Sequence, residues 1–109
     1  MDEKVESVLR KLGITARYKG HEYIQLAFRL IEHDEEILTG ITILLYPEIA
    51  KTLDVPVHNV EYNIRTAVMK SWKMNRPLLE EVCGYKLYKP PSNAEFLDAL
   101  LYYVRHLKE

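Results

Sequence analysis

Cysteine, glycine and proline are scarce in this sequence of 109 residues, which holds one cysteine, four glycines and five prolines. A single cysteine, Cys83, cannot form an intramolecular disulfide or supply a cysteine-based zinc finger. So few glycines and prolines exclude collagen-like and proline-rich chains. No apolar run approaches the ~18 residues that a membrane-spanning helix needs, and the polar start Met1–Lys4 is unlike a signal peptide. We therefore expect a cytoplasmic protein with no membrane partner.

Residue patterns for catalysis and for metal or cofactor binding are also missing. The histidines at positions 21, 33, 58 and 106 lack the spacing of metal ligands, and the glycines at 13, 20, 40 and 84 are too dispersed to cradle a phosphate. Glu80 and Glu81 are neighbours on a predicted helix, where adjacent side chains do not face each other. Cys83 is more typical of a small buried hydrophobic residue than of a nucleophile. The sequence predicts a protein that is not an enzyme and has no metal site or cofactor.

The chain does have the composition of a globular domain, with 48% hydrophobic and 28% charged residues in 12.8 kDa. Its formal net charge of -1 is unevenly distributed. Residues 1–50 hold six Lys/Arg against nine Asp/Glu, whereas residues 51–89 hold seven against four. This asymmetry favours a local basic surface on a nearly neutral protein, although ordinary scatter of surface charge gives the same counts.

The spacing of apolar residues predicts an all-α protein, a compact bundle of about six helices that forms a single domain over residues 1–109. Longer helices are predicted over 2–12, 21–33, 58–75 and 92–107, and shorter ones over 47–53 and 77–82. Ile41–Tyr46 is β-branched and apolar, and on its own it would suit a buried strand. Because no other segment offers a partner strand, we predict a helix there. Ser92–Glu95 has the S-x-x-E form of a helix capping box.

A helix-turn-helix is the most informative of these patterns. Pro47–Leu53 is the first predicted helix, Asp54–Val57 the turn and His58–Asn75 the second helix. Small Ala50 would let the two helices cross closely, and Trp72 is predicted to anchor the second helix in the core. The opposite side of the second helix carries His58, Tyr62, Arg65, Thr66, Met69 and Lys73, with Glu61 at its edge. Such a helix can enter the major groove of DNA, although many helical bundles contain a similar corner.

Family-typical residues are spread over most of the chain, in order and with few or no gaps from about residue 8 onward. They are Lys19-Gly20 with Tyr23, Ile41-Thr42, Leu45-Tyr46-Pro47 with Ile49-Ala50-Lys51, Val60-Glu61, Ile64-Arg65, Trp72, Gly84-Tyr85, Lys89-Pro90, and Asn93 with Glu95-Phe96. In these residues the sequence resembles the C-terminal DNA-binding domains of the stage-zero sporulation protein A family, the response regulators of endospore formation. The resemblance is far more specific than the helix-turn-helix pattern alone.

This resemblance implies a six-helix effector domain that binds double-stranded DNA, reads a promoter box similar to TGTCGAA and regulates transcription. The family's recognition helix runs approximately S-R-V-E-R-A-I-R, and its glutamate and last arginine match Glu61 and Arg65. An arginine fork can donate two hydrogen bonds to guanine, and a glutamate can accept one from the amino group of cytosine. The alternative for these two residues is a plain ion pair on a solvated helix.

Three positions depart from the family pattern. Asn59 and Tyr62 stand where the family has arginines, and Ile43 stands where it commonly has a lysine. Fewer cations make fewer phosphate contacts, so we expect lower affinity and a weaker salt dependence. Asn59 could read adenine and Tyr62 could stack or hydrogen-bond, so both a changed target sequence and a lost DNA function remain open.

The family's effector domain follows a phosphoacceptor receiver domain, whereas this chain begins with Met1 directly at the first effector helix. From the sequence as it stands we expect no receiver domain. We expect either an excised fragment or a stand-alone version that acts without phosphorylation control.

The predicted DNA-binding residues are His58, Asn59, Glu61, Tyr62, Arg65, Thr66, Lys70 and Lys73. Lys70 and Lys73, with Arg76 continuing the same helix, would contact phosphates, which position a protein without specifying sequence. A solvated helix face is the alternative for these cations. The alternative function is a non-catalytic module that pairs with a full-length regulator or RNA polymerase, in which Tyr62 and Met69 would dominate the contact. The last helix is also a candidate contact for a homodimer.

Overall fold

The computed structural model describes residues 2–107 and contains six α-helices. They are α1 (Asp2–Lys11), α2 (Lys19–His33), α3 (Tyr46–Leu53), α4 (Val57–Met74), α5 (Arg76–Cys83) and α6 (Asn93–Arg105). A short 3₁₀ helix, Glu35–Thr39, and one π-helical turn, Ile41–Leu45, lie between α2 and α3. The described residues contain no β-strand, which confirms the predicted all-α fold. None of these helices combines the length and the apolar character needed to cross a bilayer.

Apolar side chains from all six helices meet in one core. The largest fully buried ones are Phe28, Phe96, Leu9, Leu12, Ile14, Ile24, Ile31, Leu45, Ile49, Ile64, Leu79 and Leu97. Each such side chain contributes roughly 1.5–3 kcal/mol relative to the same side chain in water. The core therefore fixes how the helices are arranged, and it holds α4 in place from its inner side.

Helix α2 packs against α1, α3 and α4, and Gly20 allows its closest approach to α4. A Cβ atom at Gly20 would lie 2.5 Å from the backbone oxygen of Asn63 and 2.7 Å from the Cβ of Ala67. Both distances are shorter than real carbon contacts, so the first turn of α2 can touch α4 only because residue 20 has no side chain.

The predicted capping box at the start of α6 is confirmed. The Ser92 hydroxyl accepts a hydrogen bond from the Glu95 backbone N–H at 3.1 Å, and the Glu95 carboxylate accepts one from the Ser92 N–H at 2.8 Å. These hydrogen bonds to Ser92 lower the pKa of Glu95 below its ordinary value. Both side chains thereby satisfy backbone donors that have no partner inside the helix.

Other predictions differ from the structure in detail. Ile41–Tyr46 is helical as predicted, but its first five residues form a π-helical turn in which the Tyr46 N–H donates to the Ile41 carbonyl oxygen. Helix α2 begins at Lys19, two residues earlier than predicted, and α6 ends at Arg105, two residues earlier than predicted. Trp72 was predicted to be a core residue, but it is only partly buried and packs at the edge of the core.

Candidate nucleic-acid interface

Helices α3 and α4 are joined by three residues, Asp54–Pro56, and pack directly against each other. Asp54 has a left-handed backbone, with φ 54° and ψ 54°, and its N–H donates to the carbonyl oxygen of Ala50. The Val55 N–H donates to the same oxygen at 3.0 Å, which closes the end of α3. Aspartate is one of the few residues other than glycine that adopts this conformation readily. The order of the elements, the short turn and the packing are those of a helix-turn-helix.

Helix α4 has one buried side and one side open to solvent. The buried residues are Val60, Ile64, Ala67, Val68 and Ser71. Five of the eight predicted DNA-binding residues are exposed, namely His58, Tyr62, Arg65, Thr66 and Lys73. The remaining three, Asn59, Glu61 and Lys70, are partly buried on the flanks of this side. The structure therefore places five of the eight residues on the open side of α4 and the other three along its borders.

Glu61 and Arg65, which lie one turn apart on α4, form an ion pair with two hydrogen bonds. Arg65 Nε donates to Glu61 Oε2 at 3.0 Å, and a terminal nitrogen of Arg65 donates to Oε1 at 3.3 Å. These hydrogen bonds raise the pKa of Arg65, whose guanidinium also lies 5.5 Å from the ring centroid of Tyr62. Solvent screens an exposed pair of this kind, so little free energy is needed to open it for another ligand.

Asn93 holds the backbone of Glu61 in place, a role that the sequence alone did not reveal. Its side-chain amide donates to the Tyr46 hydroxyl at 3.0 Å and to the backbone oxygen of Glu61 at 3.2 Å. Both Asn93 and Tyr46 are buried, and burial raises the pKa of the Tyr46 hydroxyl. The first turn of α6 is thus tied to α3 and to the first half of α4. Local spacing offers no signal for a contact that joins residues 32 positions apart.

The flank of α4 beside Glu61 and Arg65 is formed by the π-helical turn and the start of α6. A pocket of about 370 Å³ lies there, lined by Ile41, Thr42, Tyr46, Glu61, Arg65, Pro91, Ser92, Asn93 and Ala94. Ile43, at the position where the related domains commonly have a lysine, is 79% exposed. The π-helical turn buries Ile41 and Leu45, and Ile43 and Leu44 are left facing solvent.

The cations at the far end of α4 differ in their availability. Lys73 is exposed, and the Lys70 ammonium lies 5.4 Å from the ring centroid of Tyr18. Arg76 does not continue α4 as predicted, because α4 ends at Met74 and Arg76 begins α5. Its guanidinium lies 4.1 Å from the ring centroid of Trp72 and 3.6 Å from the Glu80 carboxylate, and it donates to the Leu87 carbonyl oxygen. Arg76 therefore serves the packing of α5 rather than the outer side of α4.

Groups that could support other chemistry are sparse over residues 2–107. No cluster of three or more His, Cys, Asp or Glu side chains in this range is arranged to hold a metal ion. Cys83 is partly buried, and burial raises the pKa of its thiol. A raised pKa lowers the thiolate fraction, which is the nucleophilic form of cysteine.

Comparison with known families agrees with this geometry. A sequence model of the family described as sporulation initiation factor Spo0A, C terminal, matches residues 5–104. The chain belongs to this family, whose members are sporulation-related DNA-binding effector domains that regulate transcription.

Proposed function

We propose that this member of the Spo0A C-terminal family binds double-stranded DNA sequence-specifically by placing the outer side of α4 in the major groove. In this role it regulates transcription related to sporulation. The observation that carries the proposal is the solvent exposure of the outer side of a helix that follows a helix-turn-helix corner. Recognition helices of this type read base edges with their N-terminal half.

Arg65 and Glu61 are the base-reading residues of the proposal. On binding, the Arg65 fork turns from Glu61 towards the two acceptors of a guanine, and Glu61 accepts from the amino group of a cytosine. The anchoring of Glu61 by Asn93 supports this role, because a fixed backbone limits the positions that the carboxylate can sample.

The other residues of the outer side complete the contact. In this proposal Asn59 reads an adenine, and Tyr62, which is 57% exposed, offers a ring and a hydroxyl where the family pattern has an arginine. His58 and Thr66 provide polar groups for phosphate or sugar contacts. Lys70 and Lys73 lie towards the C-terminal end of α4 and attract phosphates without reading sequence.

Fluorescence anisotropy with labelled duplexes tests this function. The full chain is titrated at low ionic strength with a duplex that contains TGTCGAA and with a duplex of the same composition in shuffled order. The proposal expects tighter binding to one defined sequence than to shuffled DNA. Because Asn59 and Tyr62 favour a changed target, a selection from random duplexes identifies the preferred site. Equal affinity for every duplex, or no binding at all, would contradict the proposal.

A further inference from the structure

A second cationic surface lies at the connector between α1 and α2. A pocket of about 440 Å³ is found there, lined by Ala16, Arg17, Tyr18, Lys19, His21, Glu22, Gln25 and Arg29. Three of these residues are cationic at neutral pH, namely Arg17, Lys19 and Arg29, against the single carboxylate of Glu22. Arg17 at the end of the connector and Lys19 at the start of α2 therefore place two positive charges close together in a chain whose first half is acidic overall.

This connector lies directly beside α4. Gly20 touches α4 at Asn63 and Ala67, and Tyr18 lies under the ammonium group of Lys70. Arg17 and Lys19 immediately flank Tyr18 in the chain, so their backbone lies next to the residue that contacts Lys70. The tight packing at Gly20 fixes the backbone of this segment against α4.

The charges of Arg17 and Lys19 are available to a partner. Both residues are exposed, and neither forms an ion pair with any other residue in the range 2–107. His21 differs, because its ring is buried, lies 3.2 Å from the Gln25 amide nitrogen and is 4.0 Å from the Glu6 carboxylate. On the opposite flank of α4, Arg65 is the one cation among the described residues that line the pocket.

We propose that Arg17 and Lys19 bind backbone phosphates of one DNA strand and extend the row of cations that Lys70 and Lys73 begin on α4. This inference rests on the proposed DNA binding through α4. The phosphates of the two strands form the two walls of the major groove, which is about 12 Å wide. Cations on one flank of α4 therefore contact mainly the phosphates of one wall of the groove, so the protein binds one strand more strongly than the other.

Charge-removing variants test this assignment in the full chain. Arg17→Gln and Lys19→Gln are each titrated with the preferred duplex and with shuffled DNA over a series of salt concentrations. Each variant is expected to bind both duplexes more weakly, and the slope of log K against log salt is expected to become shallower by about 0.9.

Arg105→Gln is the matched control. Arg105 pairs with Glu35, which lies just beyond the C-terminal end of α2, about 22 Å along the helix from Lys19. The control removes the same charge from the protein as a whole and is expected to leave the salt slope unchanged.

The possible outcomes separate the inference from the function on which it rests. Wild-type binding with unchanged slopes in both connector variants would overturn the phosphate assignment and leave DNA binding through α4 in place. A loss confined to the preferred duplex would also overturn it, because it would indicate base readout. A wild-type protein that binds no duplex would overturn the inference and the proposed function together.

Discussion

Arg65 and Glu61 hold each other in the free protein through two hydrogen bonds on an exposed turn of α4. In an aqueous setting this pair stabilises the fold only slightly, because solvent screens it. In the proposed complex with DNA, the same planar fork would donate two parallel hydrogen bonds to a guanine, and such a pair discriminates between bases by about 1–3 kcal/mol. The chemistry of this residue thus favours recognition over stability.

Replacing Arg65 should separate these two roles. We expect Arg65→Ala to weaken binding to the preferred duplex by about 1–3 kcal/mol, with the fold intact because the side chain is exposed. Arg65→Lys keeps the positive charge but loses the planar guanidinium, so it should recover little of the preference for the preferred duplex over shuffled DNA. Anisotropy measures the affinity and circular dichroism checks the helices. An Arg65→Ala protein with wild-type affinity would remove this residue from the readout.

The residues of the candidate interface were accessible to sequence reasoning to different degrees. The spacing along one helix placed His58, Tyr62, Arg65 and Thr66 on one side, since a helix repeats every 3.6 residues. The contact of Asn93 with Glu61 was not accessible, because it depends on how α6 docks on α4. Arg76 was assigned to the wrong helix although a break near Asn75 was predicted, because spacing alone does not show on which side of the break Arg76 lies. There the Asn75 side chain accepts from the Leu78 N–H and caps α5.

At the scale of helices, the contact of α2 with α4 positions both the recognition helix and the cationic connector. A methyl group on residue 20 would have to displace the backbone oxygen of Asn63, which cannot turn away as a flexible side chain could. Overpacking of this kind typically destabilises a protein by about 1–3 kcal/mol, whereas alanine stabilises a helix by roughly 1 kcal/mol relative to glycine. Because the obstructing atom belongs to the backbone, we expect the clash to outweigh the helix propensity and the variant to be less stable.

We therefore expect Gly20→Ala to lower the free energy of unfolding, as measured by urea denaturation. Gly40→Ala is the control, because the nearest atom to its new methyl group would be a side-chain carbon of Leu44 at 3.8 Å. The control should change the free energy of unfolding by no more than about 0.5 kcal/mol. If the Gly20 variant proved as stable as the wild type, α2 and α4 would not be packed as closely as described.

The capping box of α6 gives a pH dependence with a definite sign. The hydrogen bonds from Ser92 lower the pKa of Glu95 below its ordinary value of 4.5. A lowered pKa in the folded state means that the ionised carboxylate stabilises the protein above pH 4.5 and that this contribution is lost as the pH falls through the folded-state pKa.

Glu95→Gln tests the contribution of the carboxylate charge, because glutamine removes that charge but can still accept the capping-box hydrogen bond. The variant should be less stable than the wild type at neutral pH by about 0.3–1 kcal/mol, towards the lower end because the site is exposed. Chemical denaturation over a pH series should show the difference disappear in acid. A difference that persisted unchanged below the folded-state pKa would mean that the Glu95 charge is not its source.

Most helices could be predicted from sequence because apolar residues recur at helical spacing over ten or more positions. The π-helical turn could not, because Ile41–Leu45 holds too few residues to distinguish one helical period from another. Its consequence is visible at Ile43, an apolar residue left in solvent next to the candidate interface. The partial exposure of Trp72 was also missed, since it depends on how the helices pack: the ring lies at the edge of the core, where Arg76 covers it.

For the molecule as a whole, affinity for DNA depends on a small set of cations in a protein whose formal net charge is -1. Asn59 and Tyr62 on α4 and Ile43 in the π-helical turn carry no cation, so they limit the number of phosphate contacts that the proposed interface can make. The whole protein should therefore show a modest salt dependence, to which each phosphate contact adds about 0.9 in slope.

Lys73 is a test of this electrostatic account on α4 itself. Lys73→Ala should weaken binding to all duplexes alike and make the slope of log K against log salt shallower by about 1. Anisotropy at several salt concentrations provides the slope. A loss of affinity for the preferred sequence alone would be incompatible with a phosphate contact.

Binding of protein partners by the whole molecule remains a prediction. Tyr102 on α6 is exposed and stacks on His106 with ring centroids 4.1 Å apart, so α6 does present an aromatic surface. A homodimer through α6, and pairing with RNA polymerase or a full-length regulator, are still to be tested. Sedimentation with and without DNA distinguishes a dimer from independently bound monomers.

The central claim, that the outer side of α4 enters a groove of DNA, is tested most directly by NMR titration of the ¹⁵N-labelled chain with its preferred duplex. We expect the largest amide shifts on α4 between His58 and Lys73, with Arg65 among them. The resonances at the far ends of α5 and α6 should be nearly unchanged. Shifts concentrated away from α4, or a spectrum unaltered by every duplex at low ionic strength, would contradict it.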